Sequence, residues 1–496
     1  MAEDIVVRLR DYSTLEVDVE PGIGQELSDY FSFYVPGYKF MPAYKHKVWD
    51  GKVKLFNRMN GLLPAGLMTY LHIFAAERNY TLATTLSPTY GLPGDKNNVQ
   101  DFPQWLDNEV KTSLPFPPRS YQREAVQVAL ERSHAILLSP TGSGKSYIIY
   151  LLMKYYLDML EEPGRILIIV PTTSLVEQMY SDFESYGMIA ENACHKIYSG
   201  KDKTTKKRII ISTWQSIYKF PKKWFEQFGM VIGDECHGFK SKSLSSIMNK
   251  STEAKYRYGL TGTLDGTQTH KLVLEGLFGP VYQVTKTKAL QDDGTLAPLD
   301  IKVIYMNYSD EVRKNFGKQT YADEIGFIIG NDSRNKFIRN LALDLSGNTL
   351  VLFNRVEAHG KPLFDLIRDK AKEGRKVFFV SGEVDTADRE AIRQLVEKQK
   401  NAIIVASLGT FSTGINIRNL HNIIFASPSK SQIKVLQSIG RGLRQSDDGR
   451  TTQLFDIADD LCWQAQRNYT FLHSIERVKI YKKEQFKYTM VKVDIK

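Results

Sequence analysis

From Arg119 onward, short apolar runs alternate with amphipathic stretches. Ala135-Ile136-Leu137-Leu138, Arg165 to Val170, Ile209-Ile210-Ile211 and Met230-Val231-Ile232 show no polar alternation. Runs of this kind predict strands buried on both faces, as in a parallel sheet. Tyr147 to Met153, after the first run, reads as a helix. Strand–helix alternation predicts an α/β unit. The rhythm restarts near Leu299, with strands expected at 349–353, 376–380, 402–406 and 422–426 and helices at 361–372 and 388–398. The second unit resembles a second copy of the first.

The N-terminal region has a different texture. Ile5 to Leu9 and Leu15 to Val19 alternate like strands, and Glu26 to Phe33 reads as a helix. Asp50-Gly51 between alternating segments predicts a two-residue hairpin turn. Trp49 would then face Lys52, Lys47 would face Lys54 and Lys45 would face Phe56, all on one basic and aromatic face. Like charges facing across strands cost energy, so this face either meets a phosphate backbone or is a solvated edge guarded by lysines. Proline and turn signals at 87–118 predict a linker with one short helix near Trp105. The tail from Cys462 is basic, aromatic and expected to be mostly helical. The expected organisation is an α+β module at 1–86, a linker at 87–118, α/β units at 119–297 and 298–456, and a helical extension at 457–496.

Composition narrows the class. The chain has 496 residues, 42% of them hydrophobic and 25% charged, which are globular values. No apolar run is long enough to cross a bilayer, so no membrane partner is expected. The start lacks the layout of a secretory leader. Three scattered cysteines, Cys194, Cys236 and Cys462, fit a reducing, cytoplasmic setting and give no zinc spacing. A net charge of +10 favours a polyanionic partner.

The chemistry begins at Ser139-Pro140-Thr141-Gly142-Ser143-Gly144-Lys145-Ser146, between a strand and a helix. This is the phosphate-binding loop arrangement, although Ser139 stands where the first glycine is usual. Glycines let backbone N–H groups converge on an anion, and the helix N-terminus adds partial positive charge. Lys145 would reach the outer phosphates, and Ser146 would ligate Mg²⁺. Gln122, on a helix just upstream, can donate to and accept from an adenine edge. Asp234 and Glu235 end an apolar strand; the first would hold Mg²⁺ through a water, and the second would orient and deprotonate the attacking water. His237 reads as a coupling residue. Thr261 and Thr263 either sense the two carboxylates or form an ordinary hydroxyl turn. Near the end of the second unit, Gln437, Arg441 and Arg444 share one helix face. Guanidinium forks so placed suit a triphosphate.

In order and spacing, these motifs resemble those of superfamily 2 helicases from Arg119 to about Asp460. A closer likeness is carried by Tyr30-Phe31-Ser32-Phe33, Gly37-Tyr38-Lys39-Phe40, Trp49-Asp50-Gly51, Leu62 to Leu67, Gly233 to His237 and Val380 to Asp385. With these stretches the chain resembles the UvsW family of T-even bacteriophage helicases. The resemblance implies two tandem RecA-like domains of the P-loop NTPase class, with ATP in the cleft between them and nucleic acid across their tops. It implies fork regression, Holliday-junction branch migration and R-loop removal, in DNA recombination, repair and replication. It assigns the nucleotide to Arg119, Gln122, residues 141–146, Gly414, Asn416 and Gln437, and catalysis to Lys145, Asp234, Glu235, Arg441 and Arg444. Asn416 stands where many relatives have an acid; it retains the ability to bond a ribose hydroxyl. Nucleic acid falls to Lys47, Trp49, Lys52, Lys54, Pro171, Thr172, Ser174, Thr213, Asn354, Arg355, Ser381, Gly382 and Thr410, and coupling to His237, Thr261 and Thr263. Implied partners are branched or single-stranded DNA, RNA–DNA hybrids, and single-strand-binding or recombination proteins. An RNA helicase of the same superfamily and a non-catalytic branched-DNA binding protein are the alternatives.

Overall fold

The computed structural model describes residues 3–86, 99–159, 164–198, 202–264, 267–316, 319–382, 386–410, 419–427, 431, 435–436, 438–440, 443 and 451–495. It divides into two compact units, Met1–Ser139 with Gly144–Val284, and Pro140–Ser143 with Thr285–Lys496.

The N-terminal module holds a mixed sheet of β1 (Ile5–Asp11), β2 (Thr14–Val19), β5 (Leu62–Pro64) and β6 (Leu82–Thr84), in the order β5-β2-β1-β6. A separate antiparallel pair joins β3 (Ser32–Tyr34) to β4 (Lys52–Lys54). This corrects the expected hairpin. Pro42 starts a helical turn, Pro42–Lys45, so the chain before Asp50 is not extended. Asp50 accepts from the Lys52 backbone N–H at 3.0 Å and turns the chain into β4, where Lys52 lies opposite Tyr34 and Lys54 opposite Ser32. Lys54 pairs with Asp50 at 2.8 Å, and Trp49 Nε1 donates to Lys52 O at 2.8 Å. Phe56, expected on the basic face, is buried in the module's core.

That core is not self-contained. It includes Leu272, from the helix Gln268–Phe278 of the first α/β layer. Gly66 lies so close to this helix that a Cβ would stand 1.9 Å from Glu275 O. Tyr70 Oη donates to Glu275 Oε2 at 2.7 Å across the same seam. The stretch read as a linker contains the helix Phe102–Thr112. Its Phe102, Trp105 and Leu106 are buried in the first unit's core.

The first large sheet is wholly parallel, in the order β13-β7-β12-β11-β8-β10-β9. Its strands are β7 (His134–Leu138), β8 (Arg165–Val170), β9 (Cys194–Ile197), β10 (Ile209–Thr213), β11 (Phe228–Asp234), β12 (Tyr256–Thr261) and β13 (Val281–Gln283). The unbroken apolar runs have a simple cause. Ile166, Ile168 and Val170 enter one core, while Leu167 and Ile169 enter the other. Successive side chains point to opposite faces, so a sheet covered twice needs apolar residues at every position.

The second large sheet is also parallel, in the order β16-β17-β15-β18-β19-β14-β20. It comprises β14 (Leu299–Asn307), β15 (Thr349–Phe353), β16 (Val377–Val380), β17 (Ile403–Ser407), β18 (Asn422–Phe425), β19 (Thr452–Asp460) and β20 (Lys487–Asp494). Two tandem parallel sheets with their helices are the RecA-like architecture that the resemblance implies. The tail expected as helical is a helix, Tyr469–Lys483, followed by the edge strand β20. Arg477 and Tyr481 of that helix both bond the buried Asp456 of β19. Glu324 accepts from the Tyr469 and Thr470 backbone N–H groups that open it.

Candidate nucleotide site and nucleic-acid interface

Parallel register brings the motifs of the first unit to one sheet edge. Thr261 lies opposite Leu138, Leu260 opposite Asp234, Gly233 opposite Ile169, and Val170 opposite Thr213. The loops opening at Ser139, Gly262, Glu235, Pro171 and Trp214 therefore leave together at the strands' C-terminal ends. That is where open α/β sheets bind ligands.

The loop before the helix Lys145–Met159 turns through Gly142 at φ 86° and Gly144 at φ 79°, left-handed conformations that favour glycine. Gly144 has a second constraint, since a Cβ would come within 2.4 Å of Gln122 Nε2. Gln122 is buried, and its Oε1 accepts from Arg119 N at 2.9 Å. The amide expected at an adenine edge is thus held between its own helix start and the phosphate loop. Ser139 is fully buried; its N–H donates to Thr261 O at 2.8 Å, and its carbonyl accepts from Lys145 Nζ at 3.2 Å. Its φ is not left-handed, so no glycine is required there. Ser143 Oγ donates to Pro140 O at 2.6 Å and braces the turn beside Thr141.

At the end of β11 the backbone is strained. Glu235 has φ 48° and ψ 48°, a sparsely populated region for a residue with a side chain. Its N–H donates to Asp234 Oδ1 at 2.9 Å. Desolvation raises the Asp234 carboxyl to about 6; the Glu235 charge adds to the rise, and Lys145 opposes it. His237 Nδ1 lies 3.0 Å from Thr261 Oγ1 and 3.3 Å from Glu235 Oε2. The tautomer carrying its proton on Nδ1 serves both, while Thr261 Oγ1 donates to Thr263 O at 3.0 Å. The glycine of the Gly-Asp-Glu-Cys-His stretch has a packing cause: a Cβ on Gly233 would approach the Phe239 ring to 2.8 Å and the Phe278 ring to 2.9 Å. Cys236 is buried against Gly259, and burial pushes its thiol well up. No group of three or more His, Cys, Asp or Glu able to hold a metal occurs among the described residues.

Of the residues expected at nucleic acid, Thr172 caps the helix Thr173–Ser185 by accepting from Leu175 N at 3.4 Å, with Ser174 beside it. Gln215 Nε2 donates to Pro171 O at 3.4 Å and ties two of the loops together. Thr213 is buried with its hydroxyl 2.9 Å from Ser216 Oγ, so the exposed side chain of that loop is Gln215. In the second unit the strand ends again share an edge, with Phe353 opposite Ser407 and Val380 opposite Ala406. Asn354 and Arg355 are exposed there, as is Gly382, while Ser381 is buried. Thr410 accepts from Ser407 Oγ at 2.7 Å. Asn354 N–H donates to Ser427 Oγ at 3.2 Å, and that hydroxyl lies 3.0 Å from Nδ1 of the buried His359.

Comparison with known proteins places this geometry. The chain is 37% identical over 511 aligned residues to the ATP-dependent DNA helicase uvsW of Enterobacteria phage T4, covering 99% of this chain and 100% of that one. The chain belongs to the UvsW family of ATP-dependent DNA helicases. Residues 4–84 match the family described as DNA helicase UvsW, N-terminal. Residues 115–266 match the res subunit of type III restriction enzymes, and residues 333–446 match the helicase conserved C-terminal domain. The crystal structure of T4 UvsW aligns with a TM-score of 0.51 at 36% identity, covering 99% of each chain. A DNA 3'-5' translocase XPB2 of Sulfurisphaera tokodaii is 25% identical, over 69% of this chain and 83% of its own. A fragment of a putative HsdR subunit from Vibrio vulnificus shares the fold, with a TM-score of 0.58 at 18% identity over 78% of this chain and 70% of its own.

Within this UvsW-family chain, Gly414, Asn416, Gln437, Arg441 and Arg444 lie outside the described residues. One contact escaped the sequence altogether. Tyr186 Oη lies 2.9 Å from Ser146 Oγ and packs its ring against Tyr147, Tyr150 and Phe116. A tyrosine just beyond the end of the helix Thr173–Ser185 belongs to no motif, so only the fold could reveal it.

Proposed function

We propose that this UvsW-family helicase uses ATP hydrolysis to remodel branched DNA, by fork regression, branch migration and removal of RNA–DNA hybrids. The supporting observation is the meeting of Lys145, Asp234 and Glu235 at one sheet edge, in a chain 37% identical over nearly its whole length to a phage DNA helicase. Lys145 and the first N–H groups of its helix would hold the phosphates. Gln122 and Arg119 would hold the base. Glu235, aimed by its left-handed backbone and by His237, would take a proton from the attacking water. Thr261 and Thr263 would report the state of Glu235. Arg441 and Arg444 would stabilise charge on the transferring phosphoryl group.

Ser146 and Asp234 would hold Mg²⁺. A hydroxyl and a carboxylate are the oxygen donors a hard cation takes, usually in ones and twos beside substrate phosphates. A desolvated Asp234 gains from a nearby cation. Bound there, the ion would neutralise phosphate charge. DNA would lie over the loops at Pro171, Thr172 and Ser174, with Lys47, Trp49, Lys52 and Lys54 of the N-terminal module as a further contact. Asn354, Arg355, Ser381, Gly382 and Thr410 would contact it from the second unit. No described helix is long and apolar enough to cross a membrane; host cytoplasm is the proposed setting.

The test compares ATP turnover on single strands, duplex, forks, four-way junctions and RNA–DNA hybrids. The reading expects forks and junctions to stimulate most, and Lys145→Ala to abolish stimulated turnover. Full stimulated turnover in Lys145→Ala would overturn it. Stimulation by RNA above that by forks would favour the RNA-helicase alternative.

A further inference from the structure

Residues 202–223 contain seven cations, Lys203, Lys206, Lys207, Arg208, Lys219, Lys222 and Lys223, against one acid, Asp202. All except Lys207 are exposed. Among the described residues, only Lys222 of the exposed six pairs with a carboxylate, Glu226 at 3.8 Å. None belongs to a helicase motif.

Two segments converge to make this surface. Arg165, at the start of β8, donates to Thr205 O in the first and to Gln227, just beyond the second. Lys203 Nζ sits 5.7 Å from the centre of the Phe220 ring. Lys250 Nζ pins the second segment through Tyr218 O and Phe220 O at 2.8 and 2.9 Å. Arg208 precedes β10, whose far end carries Thr213. At about 3.3 Å per residue, it stands about 16 Å from the motif-bearing edge of the sheet.

We infer that this surface is a second nucleic-acid contact, which holds the phosphate backbone of a duplex arm while the motif edge engages the strand being moved. The inference rests on the DNA reading above. Two observations select duplex backbone. The neighbouring rings are partly buried and packed on one another, Phe220 on Trp224 at 4.9 Å, so no stacking platform is offered to unpaired bases. Among the described residues, no large exposed apolar side chain falls between Ile189 and Tyr321, which disfavours a membrane or an apolar protein partner. Exposed cations without rings or apolar anchors suit phosphates read without sequence.

The test replaces Lys206, Lys219, Lys222 and Lys223 together by Ala, with a matching Arg set as control. Binding of a fork with duplex arms and of a single strand is measured across a salt series. The Ala variant is expected to weaken fork binding roughly tenfold or more. Its log–log salt slope should fall by about 0.9 for each phosphate no longer neutralised. Single-strand affinity and single-strand-stimulated ATP turnover should stay at wild-type level, and the Arg set should restore fork binding. Unchanged fork affinity and slope would overturn the inference, as would an equal loss on single strands. A wild-type protein that no DNA stimulates would instead overturn the parent reading.

Discussion

Glu235 shows how much of the site is decided at a single residue. A left-handed backbone at a glutamate costs about 1–3 kcal/mol and persists here because its neighbours hold it. Its N–H is tied to Asp234, and its carboxylate is flanked by His237 and Thr261. If this strain aims the carboxylate at the attacking water, Glu235→Gln removes the base but keeps the shape. Turnover should fall about 10²–10⁴-fold, while binding of a fluorescent nucleotide stays at the wild-type level. A variant that loses both together would mean that Glu235 builds the pocket and takes no proton. The identity of this residue was plain from the sequence. Its backbone state and the approach of His237 and Thr261 to its carboxylate depend on strands far apart in the chain.

Elements differ in how openly they announce themselves. β7, β8, β10 and β11 were legible because a doubly covered strand has no polar positions to confuse its pattern. β20 was not, because as an exposed edge strand it mixes Lys487 and Lys492 with Met490 and Val491 on open faces. Asp50 does bend the chain into β4, but the two-residue hairpin read at Asp50-Gly51 is not formed and the partner of β4 was not legible, since the real pairing skips Val35 to Gly51. Among the described residues, each unit also buries a histidine that desolvation keeps neutral, His134 in the first and His359 in the second. Desolvation lowers His134 to about 3, helped by the Arg257 charge. His359 reaches about 3 the same way, helped by Arg334. Both ordinary values are 6.5. Between pH 6.5 and 3 the unfolded chain therefore binds more protons than the folded one. The stability is complete above 6.5 and is lost as pH falls, by about 1.4 kcal/mol per unit for each histidine. Urea unfolding at pH 7, 6 and 5 should show His359→Asn to be weaker at pH 7 but less steep below 6.5. Parallel slopes for variant and wild type would refute a neutral buried imidazole.

At the scale of the whole chain, the excess of ten positive charges is expected to act on binding and not on the chemical step. The exposed lysines of the N-terminal module, Lys39, Lys45, Lys47 and Lys54, and the exposed cations of residues 203–223 lie outside the loop that holds Lys145. Long-range attraction between exposed charges is screened within about 8–10 Å at ordinary ionic strength. The contacts at Asp234, Glu235 and Lys145 are shorter than that and partly buried. Salt should therefore separate the two activities. If six to ten phosphates are neutralised, raising salt from about 50 to about 200 mM should cut fork affinity about 10³–10⁵-fold. Turnover without DNA should hardly change over the same range. Measuring both on one preparation decides the matter. A shallow salt slope for the fork would mean that the basic surfaces do not touch phosphate, and a parallel collapse of basal turnover would mean that salt acts on the nucleotide pocket itself.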